Sequence, residues 1–163
     1  MKKIIVAGII SAISFIAFYY IRLYYSAKKL SVTVDSFKLM SKLEDILSGF
    51  TLRFRLNLGN YSNSTFVISQ IKIDAFTQAD VALASQKSPL AAPISILPNQ
   101  NNYPEFDFDF SNSGLANLIL GGGNLLQMAQ NFFVNGKFGM QIKLKGFVVA
   151  EGFKVDINQI VNI

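Results

Sequence analysis

The chain has 163 residues, with 15 Lys and Arg against 10 Asp and Glu, a formal net charge of +5, and no Cys, His or Trp. Those absences exclude disulfides, thiolate and imidazole metal sites, and Ser-His-Asp or Cys-His nucleophilic mechanisms. The positive surplus is local: residues 1–29 carry Lys2, Lys3, Arg22, Lys28 and Lys29 and no acid, so residues 30–163 hold ten basic and ten acidic side chains. A nucleic-acid partner would need a basic excess on the folded part, so none is expected.

The first element is the apolar run Ile4 to Ile21, IIVAGIISAISFIAFYYI, which no charge interrupts. As a helix rising about 1.5 Å per residue it would reach roughly 27 Å, near the thickness of a bilayer's hydrocarbon core. Ile4, Ile5, Ile9, Ile10, Ile13, Phe15, Ile16, Phe18 and Ile21 supply the apolar surface. The sequence therefore predicts an N-terminal transmembrane helix over 1–29, with 30–163 as the folded domain. Lys2, Lys3, Tyr19, Tyr20, Arg22, Tyr24, Tyr25, Lys28 and Lys29 would be its interfacial residues, rings at headgroup depth and charges in water. A cleaved signal peptide fits less well, because bulky Tyr25 stands where a cut after Ala27 wants a small residue. Three basic groups on each flank, counting the amino terminus, leave the orientation open.

After the anchor, Ser31 to Leu39 alternates like a strand. Ser41-Lys42-Leu43-Glu44 is a capping-box signature, and a short helix is expected over 42–48, closed by Gly49. Phe50 to Leu58 is the clearest strand, with Leu52, Phe54, Leu56 and Leu58 on one face and Thr51, Arg53, Arg55 and Asn57 on the other. Residues 59–64 read as a turn. Strands follow at 65–78 and 80–86. Pro89, Pro93 and Pro98 confine any pairing in the next stretch to a sheet edge, and 99–102 reads as an exposed loop.

Phe106, Phe108 and Phe110 then alternate with Glu105, Asp107 and Asp109. Leu115 to Phe133 is helical, interrupted by Gly121-Gly122-Gly123. Asn135-Gly136 turns the chain back into two strands, one from Phe138 and one from Phe153 to about Ile160. Some seven alternating strands with one inserted helix predict a mainly β, antiparallel immunoglobulin- or fibronectin-like sandwich.

Few residues offer chemistry. Glu105, Asp107 and Asp109 line one strand face, but a strand spaces them about 6.6–7 Å apart, too wide to wrap one hard cation. The triple glycine lacks the Lys-Ser/Thr of a phosphate loop. Asn60-Tyr61-Ser62 and Asn63-Ser64-Thr65 both match a glycosylation acceptor, in what also reads as a plain turn. Leu125, Leu126, Met128, Phe132 and Phe133 give the helix an apolar side, a candidate lipid groove against the sheet or ordinary core. No catalytic residue, cofactor or metal site is identified.

The order of elements resembles the water-stress and type-2 late-embryogenesis-abundant (LEA) domain. The segments that carry the resemblance are LRFRLNLGN (52–60), ISQIKIDAF, PISILP and MQIKLKGFVV, although Tyr61 follows Asn60 where that family carries Pro. The resemblance implies a sandwich, often tethered by one helix, in a binding, protective or lipid-contacting role without catalysis. The expectation is a non-enzymatic, membrane-anchored structural or interaction module. Its partners would be a lipid bilayer and proteins of a larger assembly. Two alternatives stay open: a minor membrane protein of a virion or similar assembly, and a lipid-binding or lipid-handling domain.

Overall fold

The computed structural model describes residues 18–41, 49–120 and 124–163. Residues 18–27 are helical and lead into β1 (Leu30–Leu39). Then come β2 (Phe50–Asn60), β3 (Phe66–Phe76), β4 (Ala82–Gln86), β5 (Ile94–Ile96), β6 (Asn101–Asn102) and β7 (Glu105–Phe110). Two helices, α1 (Asn112–Leu120) and α2 (Leu125–Asn135), precede β8 (Gln141–Ala150) and β9 (Phe153–Asn162).

Alternation explains the strands. On β2 the expected inner set, Leu52, Phe54, Leu56 and Leu58, is buried, and so are Phe106, Phe108 and Phe110 on β7. Register puts these sets side by side: Leu52 faces Phe108 and Phe54 faces Phe106. Ile71, Ile73 and Ala75 of β3 and Ile142, Leu144 and Val148 of β8 fill the opposite wall. Each fully buried Phe, Leu or Ile stabilises the fold by about 1.5–3 kcal/mol relative to exposure.

All nine strands among the described residues belong to one antiparallel sheet, ordered β1-β2-β7-β4-β3-β8-β9, with β5 paired to β3 and β6 to β2. The sheet curls until its two end strands approach, and the Gln159 side-chain amide donates to the Val32 carbonyl across the seam. The result is a near-barrel. Six successive antiparallel pairings leave β1 and β9 running in the same direction.

One end of the barrel is closed by aromatic packing. Phe50 stacks on Phe110 at 4.7 Å and on Phe138 at 5.5 Å, and Phe132 of α2 stacks on Phe138 at 4.7 Å. α1 lies on β4 so closely that a Cβ on Gly114 would sit 2.1 Å from the Leu83 carbonyl oxygen. Only glycine permits that approach.

Three expectations are corrected. The immunoglobulin- or fibronectin-like sandwich is replaced by a single curled sheet. Alternation marks one buried face per strand in either architecture, so the pattern cannot tell them apart. The one inserted helix is described as two, α1 and α2, on either side of Gly121-Gly122-Gly123, where the sequence already placed an interruption. The transmembrane, single-pass membrane-anchor reading also fails, because among the described residues no helix is long and apolar enough to cross a membrane. The ten described helical residues, 18–27, extend only about 15 Å against the roughly 30 Å of a hydrocarbon core. Lys2, Lys3, Ile4, Ile5, Ile9, Ile10, Ile13, Phe15 and Ile16, and the helix expected at 42–48, lie outside the described residues.

Candidate functional site

The outer wall carries the polar side chains of the alternating strands, and register turns them into ion pairs. Arg53 on β2 faces Asp107 on β7 and donates to it from Nε at 2.6 Å and Nη2 at 2.9 Å. Glu105 lies 3.7 Å from the same guanidinium. Thr51 donates to Asp109 at 2.6 Å, and Lys87 is 3.2 Å from that carboxylate. Arg55 pairs with Asp35, and Lys143 and Lys145 both reach Asp80.

These contacts hold the acids ionised. The Arg53 hydrogen bond keeps Asp107 below the usual carboxylate range, and the Thr51 hydroxyl, with Lys87, does the same for Asp109. Lys145 and Lys143 lower Asp80. The acidic stripe is thus matched by cations on neighbouring strands, and among the described residues no cluster of three acids could hold a metal ion. A shallow groove of about 410 Å³ beside Arg53 is bordered by Pro89, Leu90 and Pro104.

The candidate groove of the helix is partly filled. Met128 is buried in the core and Phe132 stacks on Phe138. The side chains of Leu125, Leu126 and Phe133 lie outside the described set.

The opposite end of the barrel differs from the wall. Here the ends of β2 and β8 meet the starts of β1, β3 and β9. Asn60, fully buried, organises the loop. Its Nδ2 donates to the carbonyls of Ser64, Ile96 and Leu97 at 2.7, 2.9 and 3.1 Å. Its Oδ1 accepts from the Ser62 amide and hydroxyl at 2.9 and 2.8 Å. This network fixes residues 60–64 against the β5–β6 turn and leaves Tyr61 pointing outward.

The helical residues 18–27 dock at this end. Tyr24 packs edge-on against Phe153 at 5.9 Å, Ala27 is buried, and the Tyr61 amide donates to the Lys29 carbonyl at 3.3 Å. A cleft of about 280 Å³ separates helix from barrel, lined by Tyr19, Arg22, Leu23, Ser64, Thr65 and Glu151. Glu151 is engaged there, accepting from the Val67 amide at 2.7 Å.

All six tyrosines of the chain gather around this end. Tyr19, Tyr20, Tyr24 and Tyr25 ride the helix, Tyr61 caps the loop, and Tyr103 stands beside it on the β6–β7 connection under Arg55. Every one is more than 40% exposed, as are Phe18 and Ile21. Buried aromatics gain stability from packing, so a set this exposed gains little in the isolated chain. Tyr19, Tyr20, Arg22, Tyr24, Tyr25, Lys28 and Lys29, expected from sequence to be interfacial, lie at the same end as Tyr61, Tyr103 and the Asn60 loop, while Lys2 and Lys3 lie outside the described residues. Sequence spacing gave no signal for that grouping, since more than thirty residues separate the segments.

No family model matches the chain, and no curated protein matches it. Several solved structures are similar in shape. One is a protein from Archaeoglobus fulgidus, 15% identical, covering 80% of this chain and 94% of its own, with a TM-score of 0.47. Another is the putative ApaA protein from Bordetella pertussis, 8% identical, covering 82% and 93%, with a TM-score of 0.46. A third is a β-glucuronidase of glycoside hydrolase family 2, 9% identical, covering 82% of this chain but 11% of that one, with a TM-score of 0.48. Likenesses at these scores carry no argument about function.

Proposed function

We propose that this chain is a non-enzymatic interaction module that meets its partner through the tyrosine-bearing end of the barrel. The observation that carries the reading is the gathering of all six tyrosines, exposed, at one end of a body whose other large aromatic side chains are mostly inside. Tyrosine supplies large contact area at low entropic cost and tolerates water when free, which suits a surface that is covered only part of the time.

The charged wall supports the non-enzymatic half of the reading. A general acid or base works best with a pKa near the operating pH. Asp80, Asp107 and Asp109 are pushed the other way by their cationic and hydroxyl partners. Such carboxylates fasten strands together and are poorly placed to carry protons.

The test is hydroxyl-radical footprinting of the full chain, once purified and once in the cell fraction that holds it. Tyr61 and the tyrosines of 18–27 are expected to be protected in the cell fraction. Lys72 and Ile160, exposed on the wall, are expected to react equally in both. Equal reactivity of the tyrosines in the two samples would overturn the proposal.

A further inference from the structure

Charge at the tyrosine end narrows the partner. Among the described residues, Arg55, Arg53, Lys87, Lys143, Lys145 and Lys154 each have an acid within ion-pair distance. Arg22, Lys28 and Lys29 have none, and all three lie on the helical residues or the turn that follows. Lys38, Lys72 and Lys137 are also without an acid, but they stand singly on β1, β3 and the α2–β8 connection. The loops that form the tyrosine end, residues 61–65 and 97–104, contain no charged residue. Glu151 brings a carboxylate to the same cleft as Arg22 and accepts there from the Val67 amide. With Glu151 counted against Arg22, Lys28 and Lys29, the end keeps a basic surplus of two (3 − 1) and carries the exposed aromatic rings.

The cleft beneath the helix adds a polar seat. Arg22 faces the Ser64 and Thr65 segment across about 280 Å³. A guanidinium beside the Ser64 and Thr65 hydroxyls matches a phosphate, whose oxygens accept several bonds at once. Tyrosine rings around such a seat match the zone between headgroups and acyl chains, where an amphipathic ring leaves neither end unsatisfied.

We infer that this end seats the headgroups of an anionic phospholipid surface, with a phosphate in the Arg22 cleft and the tyrosines against the bilayer face. The contact so inferred is made by the barrel end and by helical residues 18–27. Each basic residue near an anionic surface adds an attraction that falls off within a Debye length. Three such residues make the contact salt-sensitive. The inference rests on the proposed function above and names the partner of that same end.

The chain has no cysteine, so one introduced thiol reports one place. Asn63→Cys, on the exposed loop beside the cleft, and Lys72→Cys, on the wall, are each labelled with an environment-sensitive fluorophore in the full chain. Vesicles of phosphatidylcholine alone and of phosphatidylcholine with 30% phosphatidylserine are then added. The expected result is a blue shift at position 63 on the serine-containing vesicles and none at position 72. At 0.5 M salt, or with Arg22, Lys28 and Lys29 all changed to Gln, the apparent affinity read at position 63 should fall at least tenfold.

Every arm carries the same residues 1–17, so only the charge dependence at position 63 decides. An equal shift on neutral vesicles, no shift, or full affinity in the triple variant would overturn the inference. A shift produced by inorganic phosphate alone, with no further change on vesicles, would assign the cleft to a free anion and overturn the lipid source. Should the lipid arm fail while tyrosine protection in the cell fraction persists, the partner is a protein and the interaction reading still holds.

Discussion

Arg53 grips Asp107 across the β2–β7 register with two nearly parallel bonds, 2.6 and 2.9 Å long. That fork closes the only ladder joining the β1–β2 pair to the rest of the described sheet path. It also sets how the fold responds to acid. A carboxylate whose folded pKa is lowered contributes its stability fully above the ordinary value of 3.8. That contribution is lost as pH falls from there through the lowered folded value. Asp80 and Asp109 act in the same direction. The denaturation midpoint should therefore stay nearly flat from pH 7 to about pH 5 and drop below about pH 4. In Asp107→Asn the drop should be shallower. At pH 7 that variant should lose only about 0.2–1 kcal/mol, because the pair is partly open to water. Urea midpoints measured between pH 3 and 7 check both statements.

Asn60 is a sharper point of failure. Asn60→Ala would take the side-chain donor from the carbonyls of Ile96 and Leu97 and the acceptor from the Ser62 amide, leaving Ser64 its bond from the Ser62 hydroxyl. Each buried group left unpaired costs about 1–3 kcal/mol, so a loss of at least about 2 kcal/mol is expected. Asn63→Ala, three residues on and exposed, should change stability by less than about 0.5 kcal/mol. Equal effects in the two variants would remove Asn60 from its place as organiser of the loop.

The same contrast separates the two acceptor tripeptides. The Asn60 amide nitrogen is buried and bonded, whereas Asn63 is exposed. When the chain is expressed through a secretory route, mass spectrometry should find glycan on Asn63 alone. A glycan on Asn60 would require that its loop forms after modification.

Core and close-approach positions can be ranked. Phe54→Ala, at 0% exposure and edge-on to Phe108, should cost about 3–5 kcal/mol. A Cβ at Gly146 would lie 1.9 Å from the Lys72 carbonyl oxygen on β3. Gly146→Ala should therefore cost about 1–3 kcal/mol through overpacking, more than a methyl group on an open strand would. Thermal and urea unfolding of both variants read these losses. A neutral Gly146→Ala would mean that β3 and β8 separate more easily than their register implies.

Tyr24 ties the helical residues to the barrel by one aromatic contact with Phe153. Tyr24→Ser should release about 0.5–1.5 kcal/mol of aromatic pairing and speed amide exchange across residues 20–27. Exchange in β2 and β8 should not change. Unaltered exchange at 20–27 would show that Ala27 and the Tyr61–Lys29 bond suffice to hold the segment.

Much of the wall and core was legible before any fold was known, and the reason is local. Period-two alternation at 52–58, 71–75 and 106–110 names which side chains go inside, because successive Cβ atoms of a strand point to opposite faces. The pairing of Arg53 with Asp107 was not legible, since 54 residues separate them and only register brings them opposite. The same limit hid the tyrosine end. Tyr19, Tyr61 and Tyr103 share no local pattern, and the buried Asn60 reads in sequence like any turn asparagine.

The sequence by itself determined the alternating strands, the chemistry that no Cys, His or Trp can perform, and the confinement of net positive charge to residues 1–29. Tertiary structure alone decided that the strands close into one curled sheet in place of two stacked ones. It also decided that the described helix is short and docked, and that the acids of the wall are matched by cations. Alternation fixes each strand's inner face but is silent on its neighbours; those follow from hydrogen-bond register between segments far apart in the chain.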